Sequence, residues 1–472
     1  MINRGKMDLP EIKNLLFCVG LLSAIAWAGC CRNRPDQPLS QMLQSRTGGN
    51  PVISEGSADP SVHVFGDRVY IYPSHDFSRD NDFWIMKDWK VYSTCDLVNY
   101  TDHGTILKGI DITWAVDPDH CFAPDCAEKN GRFYFYFPLS DREGIWKGKI
   151  GVAVADNPCG PFRDALGHPL VDDQDKPAGF TGWYYNIDPA VFTDDDGRNY
   201  LFWGNGACFM AELSGDMTLL KPEIREIIIE DNKGYMEGPF VWKREGIYYI
   251  LYSRTGSASF DALDYAVSDR VEGPYRYRGT IIGHGRKGNE HGSVFSYKGQ
   301  WYVAYHDLFP TDKYRKTCLE LIHYRDNGDI ARVEPTREGV GWYNASEWIE
   351  AEDYFDKSGN IEYREHGETD FHMHHVTNGS WIKFPNVKLD YEYQNHFSAR
   401  VSSGSEGGII EVLLDSLSGE KAGELLIRNT GGWDVWQTMD TVLASFGGTR
   451  DIILRFTGQG QELFNLDRFS FE

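Results

Sequence analysis

Between residues 50 and 343 the apolar positions come in short runs, broken by polar pairs and glycine rather than spaced at a helical period. One unit recurs: a leading polar residue, a brief apolar run, a glycine-containing turn and an aromatic-rich strand. Its first copy is Asp59-Pro-Ser-Val-His-Val-Phe-Gly-Asp-Arg-Val-Tyr-Ile-Tyr72, and the others lead with Asp125, Asp188, Glu237 and His291, at spacings of 66, 63, 49 and 54 residues. Each copy predicts a β-hairpin, turning at Gly66-Asp67, Asn130-Gly131, Asp196-Gly197, Glu245-Gly246 and Lys298-Gly299. Further strands lie between the copies. Ile150–Ala155 and Leu263–Ser268 are alike and lead into matching turns, Asn157–Phe162 and Val271–Tyr275. Repeats of this spacing, with four strands per unit, predict a five-bladed β-propeller over residues 50–343, with a β-sandwich of coincidental hairpins as the alternative.

Near Asn344 the pattern changes. Trp348-Ile-Glu-Ala-Glu352 opens a run of short alternating strands that includes Gly379–Phe384, Gly408–Asp415 and Leu463–Phe471. These predict a β-sandwich, jelly-roll-like, over residues 344–472. The chain is thus expected to be all-β.

The N-terminus reads differently. Arg4, Lys6 and Lys13 precede the apolar run Leu15–Ala28, which is too short to span a bilayer and ends in small residues before Cys30. Residues 1–31 are expected to be an export segment of lipoprotein type acylated at Cys30, with plain secretion as the alternative. Residues 32–49 are expected to be a polar linker. This predicts a periplasmic or cell-surface protein whose one membrane contact is the lipid anchor.

Composition narrows the partners. With 47 Lys+Arg against 70 Asp+Glu the net charge is −23, which argues against nucleic acid, because phosphate binding needs a basic face. Aromatic residues make up 14% of the chain, which excludes disorder and suits a neutral ligand that stacks, such as a sugar. No CxxC pair supports zinc. Cys121 and Cys126 are candidates either for a disulfide or for buried thiols.

A propeller brings the start of each innermost strand to one end of its axis, so Asp59, Asp125, Asp188, Glu237 and His291 should converge. Such a cluster of carboxylates is costly to fold and points to function. For Asp125, one place out of register behind Pro124, capping of backbone amides is the competing role.

Together, Ala58-Asp59-Pro60, Ala123-Pro124-Asp125, Asp188-Pro189-Ala190-Val191-Phe192, Glu237-Gly238-Pro239 and His291-Gly292-Ser293-Val294-Phe295 resemble glycoside hydrolase family 43, five-bladed inverting arabinofuranosidases and xylosidases. The resemblance implies Asp59 as general base, Glu237 as general acid and Asp188 as the residue that tunes and orients the acid. It places His291 near the axis and near a bound metal, and suggests that Arg315 reaches the sugar. Inversion needs the acid and base carboxyls roughly 6.5–9.5 Å apart, a gap that residues of two blades can hold. Trp114, Phe122, Trp183, Tyr184 and Tyr185 are candidate walls, Trp114 foremost, with packing between blades as the competing role of each. Ser74-His75-Asp76 is a candidate support for the site, or a solvated turn.

Residues 344–472 resemble carbohydrate-binding module family 6. That implies a structural calcium held by Glu350, Glu352 and Asp467, and a sugar cleft using Trp433 or Trp436 with Asn465, in which His375 stands where the facing aromatic is expected. A purely structural role is the alternative for this domain.

The expectation is an exo-acting glycosidase that releases terminal arabinofuranose or xylose from plant cell-wall polysaccharides or oligosaccharides, needing no cofactor for its chemistry. The alternatives are a surface glycan-binding protein without turnover, a galactose-releasing enzyme of the same fold, and the retaining five-bladed sucrose and fructan enzymes. The Asn-Asp-Pro-Asn and Glu-Cys motifs of the last group are absent.

Overall fold

The structure is a computed structural model that describes residues 44–45, 49–77, 85–140, 148–232, 234–255, 261–283, 290–308, 314–366, 370–389 and 395–472. The expected export segment, Cys30 and most of the linker lie outside these residues. No helix among the described residues is long and apolar enough to cross a membrane.

The five predicted hairpins form the inner strands of five sheets. Ala58–Phe65 pairs with Arg68–Ser74, Asp125–Lys129 with Arg132–Ser140, and Ala190–Thr193 with Asn199–Trp203. Tyr235–Arg244 pairs with Ile247–Thr255, and Gly292–Tyr297 with Gln300–Leu308. The turns follow their residues. Asn130 and Gly131 have φ of 54° and 75°, and Lys298 and Gly299 of 51° and 83°, the doubly left-handed turn that matches strand twist. Each second strand lies between its own sheet-mates and a neighbouring blade, so it is apolar on both faces. Phe65 meets Phe133 edge-on at 5.1 Å, and Trp242 donates its indole N–H to the Tyr324 hydroxyl at 2.9 Å.

The last blade has three strands, and residues ahead of the first blade complete it. Val52 N–H bonds Thr317 O at 2.8 Å and Ser57 N–H bonds Arg315 O at 2.9 Å. The Asn50 carboxamide donates to Leu319 O and to Glu320, and accepts from Leu319 N–H. The ring is therefore closed by side-chain and backbone bonds between segments far apart in sequence.

The C-terminal unit is a sandwich of two sheets around a core that includes Ile382, Phe384, Val401, Ile410, Leu454 and Phe469. Its first strand, Tyr343–Asn344, pairs with Val387 and Lys388, so the change of domain falls just before the expected boundary. The first and last segments of the unit meet where Ile349 and Glu350 pair with Phe469 and Arg468. Gln300 of the last blade donates to the carbonyls of Glu352 and Tyr354 at 2.5 and 2.9 Å, fixing sandwich to propeller. Cys121 and Cys126 are free buried thiols, not a disulfide.

Candidate active site

The five leading residues do meet. Asp59, Asp125, Asp188 and His291 line one narrow axial cavity, together with Gly238, which follows Glu237. Pro60, Pro124, Pro189 and Pro239 alternate with them and, having no N–H, bring no unsatisfied donor into the cavity. The strand starts are distorted. Asp59 and Asp188 are non-glycine residues with φ of 50° and 55°, and the pairing register breaks between Ala58 and Ser61 and between Glu237 and Phe240. Left-handed backbone at such residues costs on the order of 1–3 kcal/mol each and clusters at functional sites. Here it turns the leading side chains off the ladder and toward the axis.

The acids are not equivalent. Asp59 accepts from Ser74 Oγ at 2.6 Å and from Arg315 Nη1 at 3.0 Å, while its backbone N–H donates to His306 Nδ1 at 2.9 Å. Burial opposes its charge, but the Arg315 guanidinium, acting together with His306 and His291, more than offsets burial and holds the carboxyl well below the usual carboxylate range. Glu237 faces the opposite balance. Burial first, and then the negative charge of Asp188, push it up to about 7, against the pull of His291 and a hydrogen bond from Asn205. Near neutral pH the hub can thus hold a proton on Glu237 while Asp59 is ionised, which is the division of labour of a general acid and a general base.

Asp188 sits between them. Its Oδ2 accepts from Gly238 N–H at 3.1 Å and lies 3.2 Å from His291 Nε2, so it is fixed to the backbone beside Glu237. Glycine is required at 238: φ is 64°, and a Cβ there would fall 2.4 Å from His291 Nε2. Burial works against protonation of His291, yet Asp188, joined by Asp59 and Glu237, more than offsets it and raises the ring to about 9. Asp188, Glu237 and His291 each offer an atom within 4.8 Å of the others. They would offer a metal ion one nitrogen and two carboxylate oxygens.

Several expected residues take other parts than expected. Asp125 takes the structural role, accepting from His63 Nε2 and from Val191 N–H at 2.5 Å each, and from Ser61 Oγ, so that it ties three blades together. Arg315, expected to reach the sugar, is buried and engaged by Asp59 and, through Nη2 at 2.9 Å, by Asp76. It positions the base. Ser74 and Asp76 are therefore supports of the site, while His75 pairs with Asp88. Trp114 stacks on Phe137 at 6.1 Å, because the loop is folded back by Val116 N–H to Ser140 O and because Gly151 leaves room for the indole. It packs the second blade. Phe122 and Tyr184 are partly buried against neighbouring apolar clusters.

Trp183 is the exposed candidate, at 56%. It meets Tyr185 edge-on at 4.8 Å and lies over Gly206, where a Cβ would fall 2.0 Å from its ring. Gly206 follows Asn205, the residue that donates to Glu237 Oε2. Sequence reading missed Asn205 and His306. The signal is a second repeat: Ser74, Asn205, Ser253 and His306 are polar residues within two positions of the C-terminal ends of the aromatic second strands, at the end where the leading acids lie.

In the sandwich, Trp433 lines an end cleft with Asn360, His375, Thr377, Gln461 and Glu462. Trp436 lies outside it, under Arg400 at 5.1 Å and beside His372. Asn465 is buried and donates to the Trp433 carbonyl at 3.1 Å, so it supports the cleft rather than facing it. Glu350, Glu352 and Asp467 do not form a group of ligand atoms within 4.8 Å of one another among the described residues. Asp467 instead takes Arg400 at 2.6 Å, although its Oδ1 is buried without a hydrogen-bond partner.

The fold and this pair of unlike acids define a glycoside hydrolase, and the sequence comparisons agree. The profile of Glycosyl hydrolases family 43 matches residues 48–330, and that of Carbohydrate binding module (family 6) matches residues 350–472. The chain belongs to glycosyl hydrolase family 43. It is 31% identical to an arabinoxylan arabinofuranohydrolase of Bacillus subtilis (strain 168), over 89% of this chain and 92% of the relative. It is 34% identical to a xylosidase/arabinosidase of Bacteroides ovatus, over 59% of this chain and 94% of the relative. The crystal structure of a family 43 arabinoxylan arabinofuranohydrolase from Bacillus subtilis, in complex with cellotetraose, superposes with a TM-score of 0.56 at 30% identity, covering 92% of this chain and 99% of that one.

Proposed function

We propose that this chain is an inverting exo-glycosidase that removes terminal arabinofuranosyl or xylosyl residues from xylan-type plant polysaccharides or their oligosaccharides. The observation that supports it best is the unlike pair at the hub: Glu237 raised to about 7 by burial and Asp188, and Asp59 held ionised by Arg315. Glu237 gives its proton to the leaving glycosidic oxygen. Asp59 takes a proton from the water that attacks the anomeric carbon from the opposite face, and the configuration inverts. Asp188 orients Glu237 through Gly238, and Trp183 offers an exposed ring on the acid side for an apolar sugar face. The relatives named above carry arabinofuranohydrolase and xylosidase/arabinosidase activities, which supports the choice of sugars. The test is release profiling on arabinoxylan, arabinan and a panel of aryl glycosides that includes galactosides, with product anomers followed by proton NMR. Release of arabinose or xylose with inversion is expected. Net retention, or no release above a Glu237→Gln control, overturns the reading.

A further inference from the structure

The sandwich carries a second group of ligating side chains, far in sequence from the hub. One atom each from Glu362, His374 and His375 lies within 4.8 Å of the others. Glu362 and His374 are register partners across a hairpin, with Oε2 and Nε2 3.9 Å apart. His375 follows His374 and would point to the opposite side of an extended strand. It does not, because its φ is 55°, and the left-handed turn sets the two rings 4.3 Å apart, centroid to centroid. Glu462 Oε1 lies 2.5 Å from His375 Nδ1. A carboxylate on that nitrogen leaves Nε2 to face an ion, the support that metal-bound histidines commonly have.

Two imidazoles and a carboxylate suit a borderline divalent ion with one open position, and do not suit calcium, which takes an oxygen shell. His375 also lines the end cleft with Trp433, so the ion would sit at the cleft rim. We propose that Glu362, His374 and His375 bind a zinc-class divalent cation, with Glu462 supporting His375.

The experiment is equilibrium dialysis of the full chain against zinc chloride after chelator treatment, with bound zinc counted by mass spectrometry. It is run in a Glu237→Gln background, which removes a carboxylate from the hub group. One equivalent is expected to bind, and the double variant Glu362→Gln/His374→Gln is expected to lose it. Glu462→Gln keeps all three ligands and is expected to weaken binding about 10–100-fold. His375→Asn removes a ligand yet tolerates left-handed backbone, so it tests the site even if the double variant fails to fold. His372→Gln, which alters a neighbouring histidine, is expected to bind as the parent does. Unchanged affinity in Glu462→Gln or His375→Asn, or equal loss in His372→Gln, overturns the site in favour of adventitious capture by surface histidines.

Discussion

The propeller hub and the end cleft of the sandwich both set charged groups beside rings, yet they differ in burial. At the hub Asp188 and Glu237 keep only 5% and 9% of their surface, whereas Trp433 in the cleft keeps 36%. Burial raises Glu237, whereas at Asp59 it is overcome by Arg315 together with His306 and His291. The cleft has no buried acid among its lining residues and presents an open indole. Moving protons needs low dielectric and fixed partners. Holding a sugar needs exposed surface. The buried hub suits the first task and the open indole of the cleft suits the second.

The largest expected effects lie at the hub. Asp59→Asn and Glu237→Gln should each lower kcat on natural substrates about 10²–10⁴-fold, the usual worth of general acid–base catalysis. Glu237→Gln should largely spare aryl glycosides whose leaving group needs no proton. Equal loss on both substrate types would remove Glu237 as the acid.

Next comes the support of the base. Arg315 is buried between Asp59 and Asp76, so Arg315→Met strands two carboxylates and should destabilise the fold by about 3–5 kcal/mol, read from urea unfolding. Arg198→Ala breaks the exposed pair with Asp196 and should leave the urea midpoint nearly unchanged. Similar costs for the two would mean that the hub is wetter than described.

The pH profile sharpens the comparison further. Activity requires Glu237 protonated, so kcat/KM should fall as pH rises through about 7. Asp59 is held well below the usual carboxylate range, so ordinary acid should leave the base ionised. Asp188→Asn removes a charge that raises Glu237, and the alkaline limb should move to lower pH. A limb that stays in place would assign the shift to burial alone.

The smallest effect is expected at the cleft. Trp433→Ala should weaken retention on immobilised arabinoxylan while leaving kcat/KM on aryl glycosides unchanged. A loss of turnover on the small substrates would show that the cleft and the hub are not independent.

Much of this was legible in the chain. The five hairpins were readable because each combines a period-two aromatic strand with a turn whose residues tolerate left-handed backbone, and the acids because they lead those hairpins. What was missed depends on side-chain direction. Arg315 turns back onto Asp59 and Asp76 instead of reaching outward. Trp114 folds onto Phe137, where Gly151 makes room. Neither contact leaves a periodic trace. Burial, the first cause of the raised Glu237, is a property of the closed ring rather than of any segment; sequence alone credited Asp188, which comes second. His306 and Asn205 were findable, since polar residues recur near the C-terminal ends of the aromatic strands in several blades.

Acid catalysis at this hub depends on one buried carboxyl keeping its proton. Carbon-13 NMR of the side-chain carboxyls, in protein labelled at glutamate, measures this directly. A resonance that titrates near pH 7, vanishes in Glu237→Gln and moves to lower pH in Asp188→Asn is the predicted result. A Glu237 resonance that titrates near 4.5, as an ordinary glutamate does, would contradict it.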